Sequence, residues 1–172
     1  MGVITLMVLG FTGTQITRLQ QSSIKDAFLS EYQTHYSKNL TSSRYSGKQY
    51  HKMQIIFSKG ADILTFKHFE QNSKEAYMTQ DFKENFQIIS IFADPLSQGT
   101  ALKSEEQLIV TLFPYEWFCR LGNEDTQDVS FVIEMKQKNY CFAINHQMCR
   151  LKEIDCKNHP ERDTTNNPLL QN

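Results

Sequence analysis

Between residues 64 and 145 short segments that alternate apolar and polar residues follow one another at regular intervals, and this pattern constrains the fold more than any other feature. Ile88-Ile-Ser-Ile-Phe92, Phe131-Val-Ile-Glu-Met135 and Tyr140-Cys-Phe-Ala-Ile144 are rich in β-branched and aromatic residues and are bounded by Asn, Asp, Gly or Pro. Such composition suits a pleated, half-buried surface. Candidate strands cover 54–57, 63–68, 76–79, 86–92, 107–113, 117–121, 129–136 and 140–146, with turns at Asp94-Pro95, Phe113-Pro114, Gly122-Asn123 and Lys138-Asn139. Short strands at this spacing, with no strong helix between them, predict an antiparallel β-sandwich rather than a parallel α/β sheet. In the last pair, Phe131, Ile133 and Met135 share one face, as do Tyr140, Phe142 and Ile144. Joined through Lys136-Gln-Lys-Asn139, they predict a hairpin with one buried face, leaving Cys141 on the outer one.

A chain of 172 residues accommodates one domain with a core and a tail. Hydrophobic residues make up 40% and aromatic residues 12%, enough to bury that core. Ile16, Leu19, Ile24, Ala27, Phe28 and Tyr32 are spaced for a short amphipathic helix, which Ser22-Ser23 could cap. Residues 36–50, rich in Ser, Lys and Asn, read as a linker, and the tail after Cys156 is polar and Pro-broken. The resulting division is an N-terminal extension and linker at 1–50, a sandwich domain at 51–155 and a polar tail at 156–172.

Net charge is only −1, and no basic stripe in the sequence points to nucleic acid or an anionic membrane. The apolar start, Met1-Gly-Val-Ile-Thr-Leu-Met-Val-Leu-Gly-Phe11, is too short to span a bilayer. It lacks the basic residues that precede a signal-peptide apolar region, and a buried or sheet-adding strand at 3–9 is the other reading. Cys119, Cys141, Cys149 and Cys156 all lie in the last third, which favours reduced thiols over a disulfide framework. Asn39-Leu40-Thr41 fits the N-glycosylation pattern. His146, Cys149, Cys156 and His159 are ligand types that zinc accepts, but the gap between the two pairs is short for a zinc finger, and no metal is expected. No nucleophile elbow, phosphate loop or dinucleotide fingerprint occurs, so neither catalysis nor a cofactor is expected.

The order of these segments resembles a galectin carbohydrate-recognition domain. Leu64-Thr-Phe-Lys-His68, Tyr77-Met-Thr-Gln-Asp81 and Ile91-Phe-Ala-Asp-Pro95 are similar to the family's L-x-I-x-G, F-x-I-x-L and H-F-N-P-R strands. Ile109-Val-Thr-Leu112 and Trp117-Phe-Cys-Arg-Leu-Gly122 resemble V-x-N and W-G-x-E-x-R. The late hairpin and Arg150-Leu-Lys-Glu-Ile-Asp155 resemble the segments that follow. The resemblance implies a galectin-type sandwich, a concanavalin-like jelly roll, with a short helix or irregular extension before it.

The galectin sugar motif is largely replaced. Ile91, Ala93 and Pro95 stand where His, Asn and Arg would contact galactose, and none has a side-chain donor. Each lost hydrogen bond costs about 1 kcal/mol. Trp117 remains as a stacking platform, with Asp94, Glu116, Arg120 and Glu124 near it in sequence as a different polar set. The resemblance therefore implies a glycan- or glycoprotein-binding protein with an altered or weakened β-galactoside site. The alternative is a sugar-silent module that binds a protein, or a second copy of itself, through a sheet edge. It also implies cytoplasmic synthesis, with export to the outside by a non-classical route. The family's last two strands have no counterpart after Cys156, which leaves a sheet edge to be covered, with 3–9 as one candidate.

Overall fold

The computed structural model describes residues 13–95, 103–122 and 126–158. The chain enters through one long helix, α1 (Gly13–Thr41). A small hairpin follows, β1 (Arg44–Tyr45) and β2 (Lys48–Gln49). Ser46 and Gly47 at its tip both have positive φ, 49° and 79°, as a tight two-residue hairpin turn requires. Then come β3 (Lys52–Ser58), β4 (Ile63–Phe69), β5 (Met78–Lys83), β6 (Phe86–Pro95), β7 (Lys103–Ser104) and β8 (Gln107–Leu112). The last strands are β9 (Cys119–Leu121), β10 (Thr126–Met135), β11 (Lys138–Asn145) and β12 (Leu151–Ile154), before a 3-10 turn at Cys156–Asn158.

Two five-stranded antiparallel sheets result, ordered β5-β4-β3-β8-β9 and β12-β11-β10-β6-β7. They face each other across a shared apolar core. Met53, Ile55 and Phe57 alternate inward from the first sheet, and Phe131, Ile133 and Met135 do so from the second. Phe57 and Phe131 meet with ring centroids 4.9 Å apart. The expected hairpin forms, with Phe131 opposite Phe142 and Ile133 opposite Tyr140. Lys136 and Gln137 at its turn have φ of 49° and 63°, matching the right-handed twist of the strands they join.

The helix differs most from the sequence expectation. It is 29 residues long rather than short, and its last turns occupy the start of the stretch read as a linker. The polar residues Ser37 and Lys38 look linker-like, yet both lie on the exposed face of the helix. The buried stripe is Gln21, Ile24, Phe28, Tyr32, His35, Tyr36 and Asn39, in steps of three and four. Ser22 and Ser23 sit inside the helix and do not cap it, and Ile16 and Leu19 are exposed. Phe28 enters the core with its ring 5.4 Å from both Phe86 and Phe142 and 6.5 Å from Phe57. Further along, the Gln21 side-chain amide donates to the Lys136 carbonyl at 2.9 Å, and the Tyr32 hydroxyl to that of Cys149 at 2.6 Å. Lys25 pairs with Glu153 on β12 at 2.9 Å. The helix thus closes a flank of the sandwich, whereas the segment 3–9 considered for an edge lies outside the described residues.

The cysteines are a second correction. They are not free thiols: Cys119 is bonded to Cys149 and Cys141 to Cys156. Sequence separations of 30 and 15 gave no hint of this, because folding brings the paired Cα atoms to 5.7 and 5.2 Å. The first bond staples β9 of one sheet to the turn after β11 of the other. The second covers the outer face of β11, so Cys141, placed correctly off the inter-sheet core, is nonetheless buried. It also ties down the start of the tail. With Cys149 and Cys156 each bonded elsewhere, they offer zinc no thiolate. Among the described residues no group of three or more His, Cys, Asp or Glu could hold a metal ion, and no helix is long and apolar enough to cross a membrane.

Candidate functional site

The outer face of the first sheet is built by the same alternation that fills its core. Where Met53, Ile55, Phe66, Val110, Leu112 and Leu121 point inward, their neighbours point out. Strand register aligns five of those neighbours in one row: Thr79 opposite Lys67, Lys67 opposite Gln54, Gln54 opposite Thr111, and Thr111 opposite Arg120. At about 4.8 Å per strand the row runs roughly 19 Å across the sheet. Every member carries a hydrogen-bonding group, and the Gln54 amide donates to the Thr111 hydroxyl at 3.4 Å.

Beside this row lie aromatic rings with cations above them. The Lys52 ammonium is 4.8 Å from the centroid of Phe69, and the Arg120 guanidinium is 5.5 Å from that of Phe113. Lys52, Gln54, Thr111, Phe113 and Arg120 line an open groove of about 530 Å³, with His51 and Glu70 at its side.

Residues 113–118 connect β8 to the edge strand β9, and Phe113 among them lines the groove. The Asn39 amide donates to the Phe113 carbonyl at 2.7 Å, and the Tyr115 N–H donates to the Asn39 carbonyl at 2.9 Å. The Tyr115 hydroxyl reaches Ser43 at 3.3 Å, and the Cys119 N–H donates to the His146 carbonyl at 3.1 Å. With the Cys119–Cys149 bond, these contacts fix both ends of the loop. Tyr115 holds a φ of 66°, an uncommon conformation for a residue with a side chain. The clamped backbone leaves its aromatic side chains outside: Tyr115 is 65% exposed, Trp117 72% and Phe118 45%. Asn39 itself is fully buried and its amide nitrogen is engaged, so it is no glycan acceptor in this fold.

Of the residues singled out in the sequence, Trp117 and Glu116 lie on this loop and Arg120 ends the polar row. Asp94 lies elsewhere: it is on β6, in the other sheet, opposite Asp128. Glu124 lies outside the described residues. Ile91 and Ala93, laid on the galectin sugar strand, are core residues buried between the sheets, which accounts for their lack of polar groups. Sequence reasoning missed Lys52, Gln54, Lys67, Thr111 and Phe113. Their alternation with apolar neighbours was visible, but the register that aligns them was not.

A second polar cluster is sealed rather than open. His35 of α1 stacks on Phe66 at 3.8 Å, and His68 of β4 stacks on Tyr45 of the hairpin at 4.2 Å. Burial, with a smaller effect of Lys38, lowers the pKa of His35 to about 4. Burial, then His35 and Lys38, lowers that of His68 to about 4. Tyr50, against the edge of His68, is pushed up to about 12, chiefly by burial. Among the described residues His35 has one polar contact, Glu31 at 3.2 Å, and His68 Nδ1 has none. These imidazoles cement the helix and hairpin to the first sheet.

Comparison with family models gives no match to this chain, and neither the curated proteins nor the solved structures give one. The functional reading therefore stands on the site's own geometry.

Proposed function

We propose that this protein is a non-catalytic glycan-binding module of the β-sandwich type, a lectin in the broad sense, with its site on the outer face of the first sheet. The observation that carries this reading is the in-register row from Thr79 to Arg120, bordered by Phe113, with Trp117 on the loop that leads into β9. A sugar presents hydroxyls around its rim and apolar C–H groups on its faces. A row of amide, hydroxyl and cationic groups answers the first, and an exposed indole held on a clamped loop answers the second. Fixing the loop before ligand arrives lowers the ordering cost of binding. The galectin-type jelly roll belongs to the same proposal, with the sugar face formed by β5, β4, β3, β8 and β9 rather than by β6. The two disulfides favour an oxidising compartment, where glycans are displayed.

A second reading is favoured by one further observation. Tyr115, Trp117 and Phe118 precede Cys119, and Met148, 55% exposed, precedes its partner Cys149. Four exposed apolar side chains around one disulfide suit a protein-binding surface.

Screening the purified protein and its Trp117→Ala variant on a glycan array, with lactose as competitor, separates the two. Binding that falls at least tenfold in the variant, about 1.4 kcal/mol, is the expected result. Glycan silence from a sample with both disulfides intact and a cooperative melt overturns the lectin reading and moves the loop to protein recognition.

A further inference from the structure

The geometry points to an acidic glycan, bearing carboxylate or sulfate groups at intervals, as the ligand of this face, an inference that rests on the lectin reading above. The outer face of the first sheet gathers Lys67 from β4, Lys52 from β3 and Arg120 from β9, although the chain as a whole carries a net charge of −1. Across the row the order is cation, amide, hydroxyl, cation: Lys67, Gln54, Thr111, Arg120. Three strand spacings separate the two cations, about 14 Å. Lys52 stands two residues from Gln54 along β3, about 7 Å out of the row. Charges spread this widely match acidic groups repeated along an oligosaccharide, with Gln54 and Thr111 left for the hydroxyls between them. They do not converge on a single carboxylate.

Among the described residues neither Lys52 nor Lys67 forms an ion pair. Of the nearby acids, Glu70 at the groove's side pairs with Lys48 at 3.8 Å, while Asp81 on β5, diagonal to Lys67, accepts a hydrogen bond from Thr65 at 2.7 Å and keeps its negative charge. The Lys52 and Arg120 heads, positioned over aromatic rings, sit at the groove surface rather than folding into the core. The sequence order does not show this patch, because Arg120 of β9 joins the lysines of β3 and β4 only through the pairing of β8 with β3.

The test uses the full disulfide-bonded chain against four probes: a sulfated glycosaminoglycan, an unsulfated uronate polymer, a neutral galactan and a single-stranded oligonucleotide. Binding to one or both acidic polysaccharides, weakening as salt is added, is expected. Which polymer is preferred identifies the anionic group. Lys67→Gln and Arg120→Gln should each weaken acidic-glycan binding about fivefold, and Lys138→Gln, at the far hairpin turn of the second sheet, should not. Circular dichroism and a thermal melt of each variant confirm that the fold is kept. Trp117-dependent binding of the galactan with no preference for the acidic polymers would overturn this inference and leave the lectin reading standing. Tighter binding of the oligonucleotide, or silence toward all four probes, also overturns it, whereas the lectin reading falls only with silence on the glycan array.

Discussion

His35 and His68 show how a residue of ordinary chemistry acquires a structural consequence. Free imidazoles titrate near 6.5, whereas burial among Phe66, Tyr45 and Tyr50 holds both of these near 4. Between those values the unfolded chain binds more protons than the folded one, so stability rises with pH across that interval. It is fully present above about pH 6.5 and is lost progressively as pH falls toward 4. Each unit of separation corresponds to about 1.4 kcal/mol. The denaturant midpoint should therefore fall on acidification through this window. In His68→Phe, which keeps a ring against Tyr45 and removes one titrating group, the fall should be shallower. An unchanged pH slope in that variant would exclude His68 as a source. The sequence showed both histidines but not their surroundings, since one comes from the helix and the other from a strand 33 positions later.

At the level of elements, the helix and the first disulfide do work that the strands cannot. Phe28 packs against rings from both sheets, so Phe28→Ala should cost about 3 to 5 kcal/mol, read as a lowered denaturation midpoint. A loss below 1 kcal/mol would mean that the helix is only draped over the sandwich. The Cys119–Cys149 bond closes a loop of 30 residues and anchors β9 beside the aromatic loop. Replacing both cysteines with serine should lower stability by roughly 3 kcal/mol. It should also weaken ligand binding, because residues 113–118 lose one of their fixed ends. Retained affinity in a destabilised double variant would show that Asn39 and Ser43 suffice to hold the loop. Strand positions were legible from alternation, and most observed strands lie within a few residues of where it placed them. The short strands β1, β2, β7 and β12 carry too few residues to show a period.

For the whole molecule, the helix, hairpin and two sheets share one continuous core, with Ile24, Phe28, Tyr32 and Tyr36 inside it. Helix and sheets are therefore expected to melt in a single transition. Far-ultraviolet circular dichroism follows the helix, and the near-ultraviolet signal of the buried Tyr and Phe follows the core. Two separated transitions would show that 13–41 is an independent extension.

Residue order is enough to reveal the antiparallel β class, the late hairpin with its buried face, and the existence of a helical segment before the strands. Each follows from local periodicity, which a chain cannot hide because every strand or helix must turn one face inward. The cysteine pairing, the length and burial of the helix, the separation of Asp94 from Trp117 and the polar row on the first sheet emerge only in the folded chain. All four depend on contacts between residues distant in the chain, and a sequence read in order carries the faces of its elements but not the register in which they meet.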